Sequence, residues 1–188
     1  MSLSQPGDGG QLLVAAVGSG AGFFDQSVVL ILDWDEDGAL GVALNKRFDA
    51  DLDDALPGWS SLVSPPEVLF AGGPVSPDGA VCLARPARRG EEPLAWRRVF
   101  GDIGLLHLDT PTELVRGAYS DLRIFAGYSA WETGQLEDEL ERGWWIRLPA
   151  RGEDIFSARP ADLWRVILRR QGGQVGLLST WTAAPELN

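Results

Sequence analysis

The chain has 188 residues, 45% hydrophobic and 23% charged, with 16 Lys+Arg against 27 Asp+Glu and a net charge of −11. That balance describes an ordinary globular domain with enough chain for a substantial core, and it excludes a disordered segment. The acidic excess repels phosphate backbones and anionic membrane surfaces, which disfavours direct nucleic-acid binding. The one local exception is the group Arg85, Arg88 and Arg89.

A single cysteine, Cys82, rules out an intrachain disulfide and a Cys-based zinc cluster. No apolar run reaches membrane-spanning length, and no charged-then-apolar leader opens the chain, so a cytoplasmic location is expected. Residues 1–10, MSLSQPGDGG, read as a flexible polar tail, followed by one globular domain over 11–188.

Residues 12–17 form a short apolar run that predicts a buried strand. The glycines of Gly18-Ser19-Gly20-Ala21-Gly22 invite a dinucleotide-binding reading, but the spacing places Phe23 where the third glycine is needed. The β-branched SVVLIL that follows predicts a strand, not a phosphate-binding helix, so the glycines read as a flexible loop. Residues 27–33 and 39–45 then predict a hairpin around Trp34-Asp35-Glu36-Asp37-Gly38, with an Asp-Gly pair suited to positive φ. Asp33, Asp35 and Asp37 also have the spacing of the first half of a calcium loop. However, Leu44 occupies the position of the bidentate glutamate and strands flank the turn, so an acidic solvated turn is preferred to a metal site.

A helical turn is expected over 51–56, stopped by Pro57-Gly58, and strands over 68–71 and 80–84 in mutual hairpin contact. Between them Gly72-Gly73-Pro74-Val75 is a backbone signal, permitting unusual φ and a fixed exit direction. Cys82 has no activating neighbour in sequence and reads as a core thiol. Residues 85–96 predict a surface loop. His107, the only histidine, reads as an ordinary strand residue, and no Gly-x-Ser-x-Gly elbow accompanies it. Thr110-Pro111-Thr112-Glu113 has the form of a capping box opening a helix to about 119. A strand over 121–126, a turn at Gly127, an acidic helix capped by Thr133 and ended by Gly143, and a strand over 144–148 follow. The last helix spans 160–171 and buries Leu163, Trp164, Ile167 and Leu168, with an edge strand over 175–178.

The succession of elements predicts an α+β fold, a mixed β-sheet built from hairpins with helices packed on it, arranged as one body or two intimately joined lobes. Several of these stretches occur together in a known family. From residue 12 to about 178 the chain resembles the YqgE/AlgH family of bacterial proteins. The resemblance rests on Ser27-Val28-Val29-Leu30, Gly38-Ala39-Leu40-Gly41 through Asn45-Lys46, Gly72-Gly73-Pro74-Val75, and above all Gly127-Tyr128-Ser129-Ala130-Trp131 with Gly134-Gln135-Leu136-Glu137. Trp145, Asp154-Ile155-Phe156 and Leu163-Trp164 fit the same pattern.

The resemblance implies no particular chemistry, although a transcriptional-regulator label goes with the family. Where many relatives carry histidines, after an acidic residue in the first hairpin and after the GGPV strand, this chain has Trp34 and Ala84. That weakens any histidine-based metal or general base. The motif positions left for a common function are Asn45, Gly72, Gly73, Pro74, Gly127, Tyr128, Trp131, Gly134, Gln135 and Glu137.

Three functions follow. The first, favoured here, is a non-enzymatic binding or regulatory module receiving a protein or small ligand at a Tyr128/Trp131/Gln135 corner, without a cofactor. The second is an enzyme using Glu137 and Glu139 or a metal at the acidic turn, although helical residues two apart diverge by about 200° and cannot share a substrate atom. The third is direct transcriptional regulation, which needs a basic face and a helix-turn-helix that the chain does not display. Oligomeric state is left open.

Overall fold

The computed structural model describes residues 10–19 and 22–181, so the expected amino-terminal tail lies, apart from Gly10, outside the described residues. Among these residues the strands are β1 (Gln11–Ala15), β2 (Val28–Asp35), β3 (Gly38–Ala43), β4 (Phe70–Ala71), β5 (Val75–Pro86), β6 (Trp96–Phe100), β7 (Ile103–Leu106), β8 (Tyr119–Glu132) and β9 (Trp145–Pro149). The helices are α1 (Leu52–Ala55), α2 (Thr112–Val115), α3 (Gln135–Glu141), α4 (Gly152–Ile155), α5 (Leu163–Gln171) and α6 (Gly173–Leu177). The strands join in the order β6-β7-β5-β8-β3-β2-β1-β9, with β4 also paired to β8. Only β4–β8 is parallel, so the curled sheet is mixed and the architecture is α+β.

Side-chain alternation along the strands divides the core. Leu12, Val14, Val28, Leu30, Val42, Leu83 and Phe125 face the inside of the curl, where Leu163, Trp164, Ile167 and Leu168 of α5 close over them. The expected buried face of that helix is therefore the observed one. The Trp164 indole also donates to the Ala15 carbonyl at 2.8 Å, which satisfies its one polar atom inside the core. On the opposite face, Leu13, Ala15, Val29, Ile31 and Ala43 pack with Trp34, Trp131 and Trp145 under α3. Cys82, Ala84, Leu122 and Ile124 pack with Trp59 and Trp96. The two regions with different sequence character are thus two outer clusters on one continuous sheet, joined through β8.

β8 is longer than its sequence predicts. Gly127 does not turn the chain. It sits in the middle of a 14-residue strand at φ +64°, with pairing on both sides of it. Nor do β4 and β5 pair with each other. β4 runs parallel along one edge of β8 at Phe125 and Ala126, while β5 runs antiparallel along the other edge from Tyr128 to Tyr119. Gly72-Gly73-Pro74 therefore carries the chain across the face of β8. A Cβ on Gly73 would lie 2.1 Å from the Tyr128 carbonyl, and one on Gly127 would lie 2.7 Å from the Gly73 and Val75 oxygens. The expected hairpin contact is therefore not made, because β8 lies between the two strands.

Other expectations are corrected locally. The first hairpin turns at Glu36 and Asp37 alone, because β2 continues through Trp34 and Asp35. The capping box does not form: Thr110 Oγ1 donates to the His107 carbonyl, and α2 is a single turn with Pro111 at its cap. His107 lies beyond the end of β7 and is exposed. Thr133 Oγ1 donates to the Asp37 carbonyl, so Gly134, at φ +76°, takes the cap of α3. Residues 175–178 continue as helix, where a strand was expected. The loop expected over 85–96 shortens at both ends, since β5 runs to Pro86 and β6 begins at Trp96.

The crossing yields a stability prediction. Gly73→Ala forces the crossing segment away from the β8 backbone at Tyr128 and is expected to cost about 4 kcal/mol or more in guanidinium unfolding. Gly143→Ala puts its Cβ into open space at φ +70° and is expected to cost only the left-handed backbone term, about 1–2 kcal/mol. Equal costs for the two variants would contradict the crossing.

Candidate functional site

The uninterrupted β8 carries Trp131 to the edge of the Leu13–Trp145 cluster, and Thr133-Gly134 turns the chain directly into α3. This short helix places Glu137 and Glu139 beside the tryptophans of three strands. The Trp34 indole of β2 donates to Glu137 Oε1 at 3.0 Å. Trp131 of β8 and Trp145 of β9 both donate to Glu139 Oε2, at 2.9 and 2.7 Å. Gln135 Nε2 donates to the other oxygen of Glu139 at 2.9 Å, while its Oε1 accepts the Glu132 amide at 3.0 Å. One half-buried carboxylate therefore holds together two strands and the first turn of a helix. Hydrogen bonds to an ionised acceptor are the stronger class, about 1.5–3 kcal/mol each.

Around that carboxylate the aromatic rings meet edge to face. Trp131 and Trp145 stand 6.0 Å apart at 78°, and Phe24 meets Trp145 at 5.6 Å and 81°. Such geometry sets the positive edge of one ring on the negative face of the next. The result is a cleft of about 180 Å³ walled by Phe24, Trp131, Trp144 and Trp145, with Gln135 and Glu139 as its polar groups. Trp131 and Trp145 are only 6% and 7% exposed, whereas Trp144 is 41% exposed at the rim. Ser19 ties the near wall by donating to the Ala16 and Trp144 carbonyls at 2.7 and 2.8 Å.

The motif residues divide into two groups. Trp131 and Gln135 line the cleft, Gly134 starts the helix that completes it, and Glu137 lies exposed beside it on Trp34. Tyr128 is not there: it packs against the inner core, on the α5 side of the sheet. Gly72, Gly73, Pro74 and Gly127 make the strand crossing. Gly72 is locked by backbone bonds, its amide donating to Ala126 O and its carbonyl accepting from Ala43 N and Ser129 Oγ. Asn45 bridges two backbone segments, accepting from Val28 N and donating to the Gln26 carbonyl, each at 2.9 Å. These amides have partners within the protein and do not point at an open site.

In the acidic turn Asp35 Oδ1 accepts from the Asp37 amide at 2.8 Å and Asp33 Oδ1 from the Trp34 amide at 3.1 Å, and the three aspartates line one depression beside Leu40 and Trp131. Among the described residues no three His, Cys, Asp or Glu side chains are grouped so as to hold a metal. Cys82 is buried, and burial pushes its thiol well above the ordinary range.

Two roles were not legible in the sequence. Glu139, singled out there only as a candidate carboxylate paired with Glu137, is the acceptor on which two tryptophans converge. The one signal for it is that a buried indole N–H needs an acceptor, and an acidic helix lies between Trp131 and Trp145. The other role is that of Arg123 of β8, 1% exposed. Its guanidinium donates to the Pro65, Ile155 and Ser157 carbonyls at 2.8–2.9 Å and lies 4.5 Å from the Phe70 ring centroid. Burial pushes it down to about 10, against the opposing pull of Asp121. It pins α4 and the 65–66 segment to β8, and nothing in its local sequence marks it as buried.

The shared acceptor predicts energetic coupling. Trp131→Phe and Trp145→Phe are each expected to cost about 1.5–3 kcal/mol. Their double mutant should depart from additivity by about 0.5 kcal/mol or more, and the coupling should shrink in a Glu139→Gln background. Strict additivity in equilibrium unfolding would show that the two indoles do not share Glu139.

The same chain organisation is found in known proteins. The AlgH-like family model matches residues 12–176. A UPF0301 protein of Streptomyces avermitilis is 46% identical over 182 residues, covering 95% of this chain and 94% of that one. A UPF0301 protein of Mycobacterium leprae is 41% identical over 160 residues, covering 84% and 79%. Among solved structures, the crystal structure of protein DIP2367 from Corynebacterium diphtheriae superposes with a TM-score of 0.87 at 30% identity, over 96% of this chain and 95% of that one. The solution structure of the AlgH protein from Pseudomonas aeruginosa, a UPF0301 protein, superposes with a TM-score of 0.69 at 25% identity, over 97% and 99%. With the family model spanning most of the chain and relatives this similar over nearly their whole length, the protein belongs to the AlgH-like family.

Proposed function

We propose that the protein is a non-enzymatic binding module whose ligand enters the cleft between Trp131, Trp144 and Trp145. The observation that carries this reading is the state of Glu139. Its carboxylate is held by three neutral donors from two strands and a helix, so the cleft is built before any ligand arrives. Preorganisation of that kind favours recognition, because little ordering remains to be done on binding. A general base takes a proton at a reacting atom, and three of the four acceptor sites of Glu139 are already engaged in positioning. Glu137 is engaged with a different tryptophan, so the two carboxylates do not form a catalytic pair. Cys82 is buried in a strand, and burial pushes its thiol well above the ordinary range, which disfavours the thiolate a nucleophile needs.

Regulation, where this protein takes part in it, would on this reading run through a partner bound at the cleft. The net charge of −11 speaks against direct contact with a nucleic-acid backbone.

A thermal-shift screen with small cationic, anionic and neutral compounds tests the reading. A compound at ten times its Kd adds about 1.4 kcal/mol of stability, which raises Tm by roughly 3–6 °C for a chain of this size. Such shifts are expected for some compounds with the wild-type protein and should vanish in Trp144→Ala, which removes the exposed wall of the cleft. A screen with no stabilising compound of any class, or shifts unchanged in Trp144→Ala, would overturn it.

A further inference from the structure

Building on the binding reading above, we infer that the group received by this cleft is an alkylammonium, a single primary ammonium on an aliphatic stem. Size comes first. At about 180 Å³ the cleft is smaller than the ~300–1,000 Å³ of pockets that enclose drug-sized ligands. It fits one side chain or one small headgroup and leaves no room for a nucleotide.

The walls select charge. Tryptophan offers the best aromatic face for a cation, and this corner already uses its tryptophans in that way. The Arg142 guanidinium lies 5.3 Å from the Trp144 ring centroid at the rim, and Arg147 lies 4.8 Å from that of Trp34 on the neighbouring strand. The field has the same sign. α3 carries Glu137, Asp138, Glu139 and Glu141, followed by Arg142 as the single nearby cation of that segment. An anion entering here would meet that field with no fixed positive partner in the cleft.

The polar group selects the kind of cation. An ionised carboxylate presents about four lone-pair sites. Oε2 of Glu139 accepts two indole bonds and Oε1 accepts one bond, from Gln135. One acceptor site therefore remains on Oε1. Among the described residues no Lys or Arg forms a salt bridge with Glu139, so its charge is hydrogen-bonded but not neutralised. A primary ammonium can donate to that site and add its charge. A quaternary ammonium has no proton to give. A guanidinium prefers both carboxylate oxygens at once, and Oε2 is already full. The aliphatic stem would lie along Phe24 and the exposed Trp144, as long cationic side chains commonly do on apolar surface.

The experiment uses the full chain, with indole ¹H–¹⁵N shifts and tryptophan fluorescence as readouts. The probes are n-butylammonium, 1,5-diaminopentane and Nα-acetyl-lysine methylamide. Controls are n-butanol, butyltrimethylammonium, butylguanidinium and the Nε-acetylated lysine derivative. The ammonium probes are expected to move the Trp131 and Trp145 indole signals in a saturable way, at least about tenfold more tightly than any control. Glu139→Gln should weaken them about tenfold or more, and so should Trp144→Ala, which removes the exposed wall of the cleft. If Glu139→Gln does not fold, Trp144→Ala and the controls decide the matter.

Tighter binding of the lysine derivative than of the diamine would identify a protein side chain as the source, and the reverse order a free amine. Equal binding of butanol and butylammonium, or unchanged affinity in a folded Glu139→Gln, would overturn the proposal. Should the ammonium probes fail while an anionic or neutral compound perturbs the same indoles, the binding reading stands and the ammonium assignment falls. Failure of every class removes both.

Discussion

The structure depends on one close approach: the chain crosses the face of β8 where Gly73 meets Tyr128 and Gly127 meets Gly73 and Val75. Side chains at these positions would push the two backbones apart. With glycine there, β8 passes under the crossing without a break and pairs first with β4 and β5, then with β3. A single strand thereby belongs to both outer clusters of the fold. Its amino-terminal half anchors the buried Arg123, and its carboxyl-terminal half delivers Trp131. Were the chain to turn at Gly127, the second half would be free of β3 and the aromatic corner would have no fixed wall.

What the crossing positions, Glu139 then consolidates. Tryptophans bring large apolar area with one polar atom that must find a partner once buried. Here two indoles find the same oxygen, and a glutamine from the preceding turn takes the other. The arrangement exchanges a solvated glutamate for a fixed acceptor at the bottom of a small aromatic cleft. α3 has seven residues, too short to be stable alone. Its carboxylates dock it onto the sheet as much as Leu136 does.

The sequence was legible where a local signal coincided with the global fold. The hairpin of β2 and β3, the buried face of α5, the strand of β9 and the mixed α+β character could all be read from apolar periodicity and turn residues. It misled where a glycine had two physical uses. Gly127 reads as a turn because positive φ usually means one, but here it relieves a contact with a chain segment more than fifty residues earlier in the sequence. The Gly72-Gly73-Pro74 signal reads as a backbone device, yet its partner is invisible without the register of β4 and β5 on β8. Thr110 and Thr133 have the residue types of caps, and tertiary hydrogen-bond acceptors, His107 O and Asp37 O, took their hydroxyls instead. At the site, Trp131 and Gln135 were singled out together and are together. Tyr128, three residues from Trp131, falls on the other face because a strand alternates. Glu139, Trp144 and Trp145 lie within fifteen residues of Trp131, but their convergence depends on the docking of α3, and Trp34 joins through a contact with Glu137 that no local window contains.

The central claim is that Glu139 unites Trp131 and Trp145 into one prebuilt cleft. The most direct measurement compares the indole ¹H–¹⁵N signals of both tryptophans, without any added compound, between the wild-type protein and Glu139→Gln under one buffer condition. Removing the shared charged acceptor should move both indole signals together, and Gln135→Ala, which leaves both indole bonds in place, should move them much less. Movement of only one of the two signals, or signals indifferent to the loss of the Glu139 charge, would contradict it.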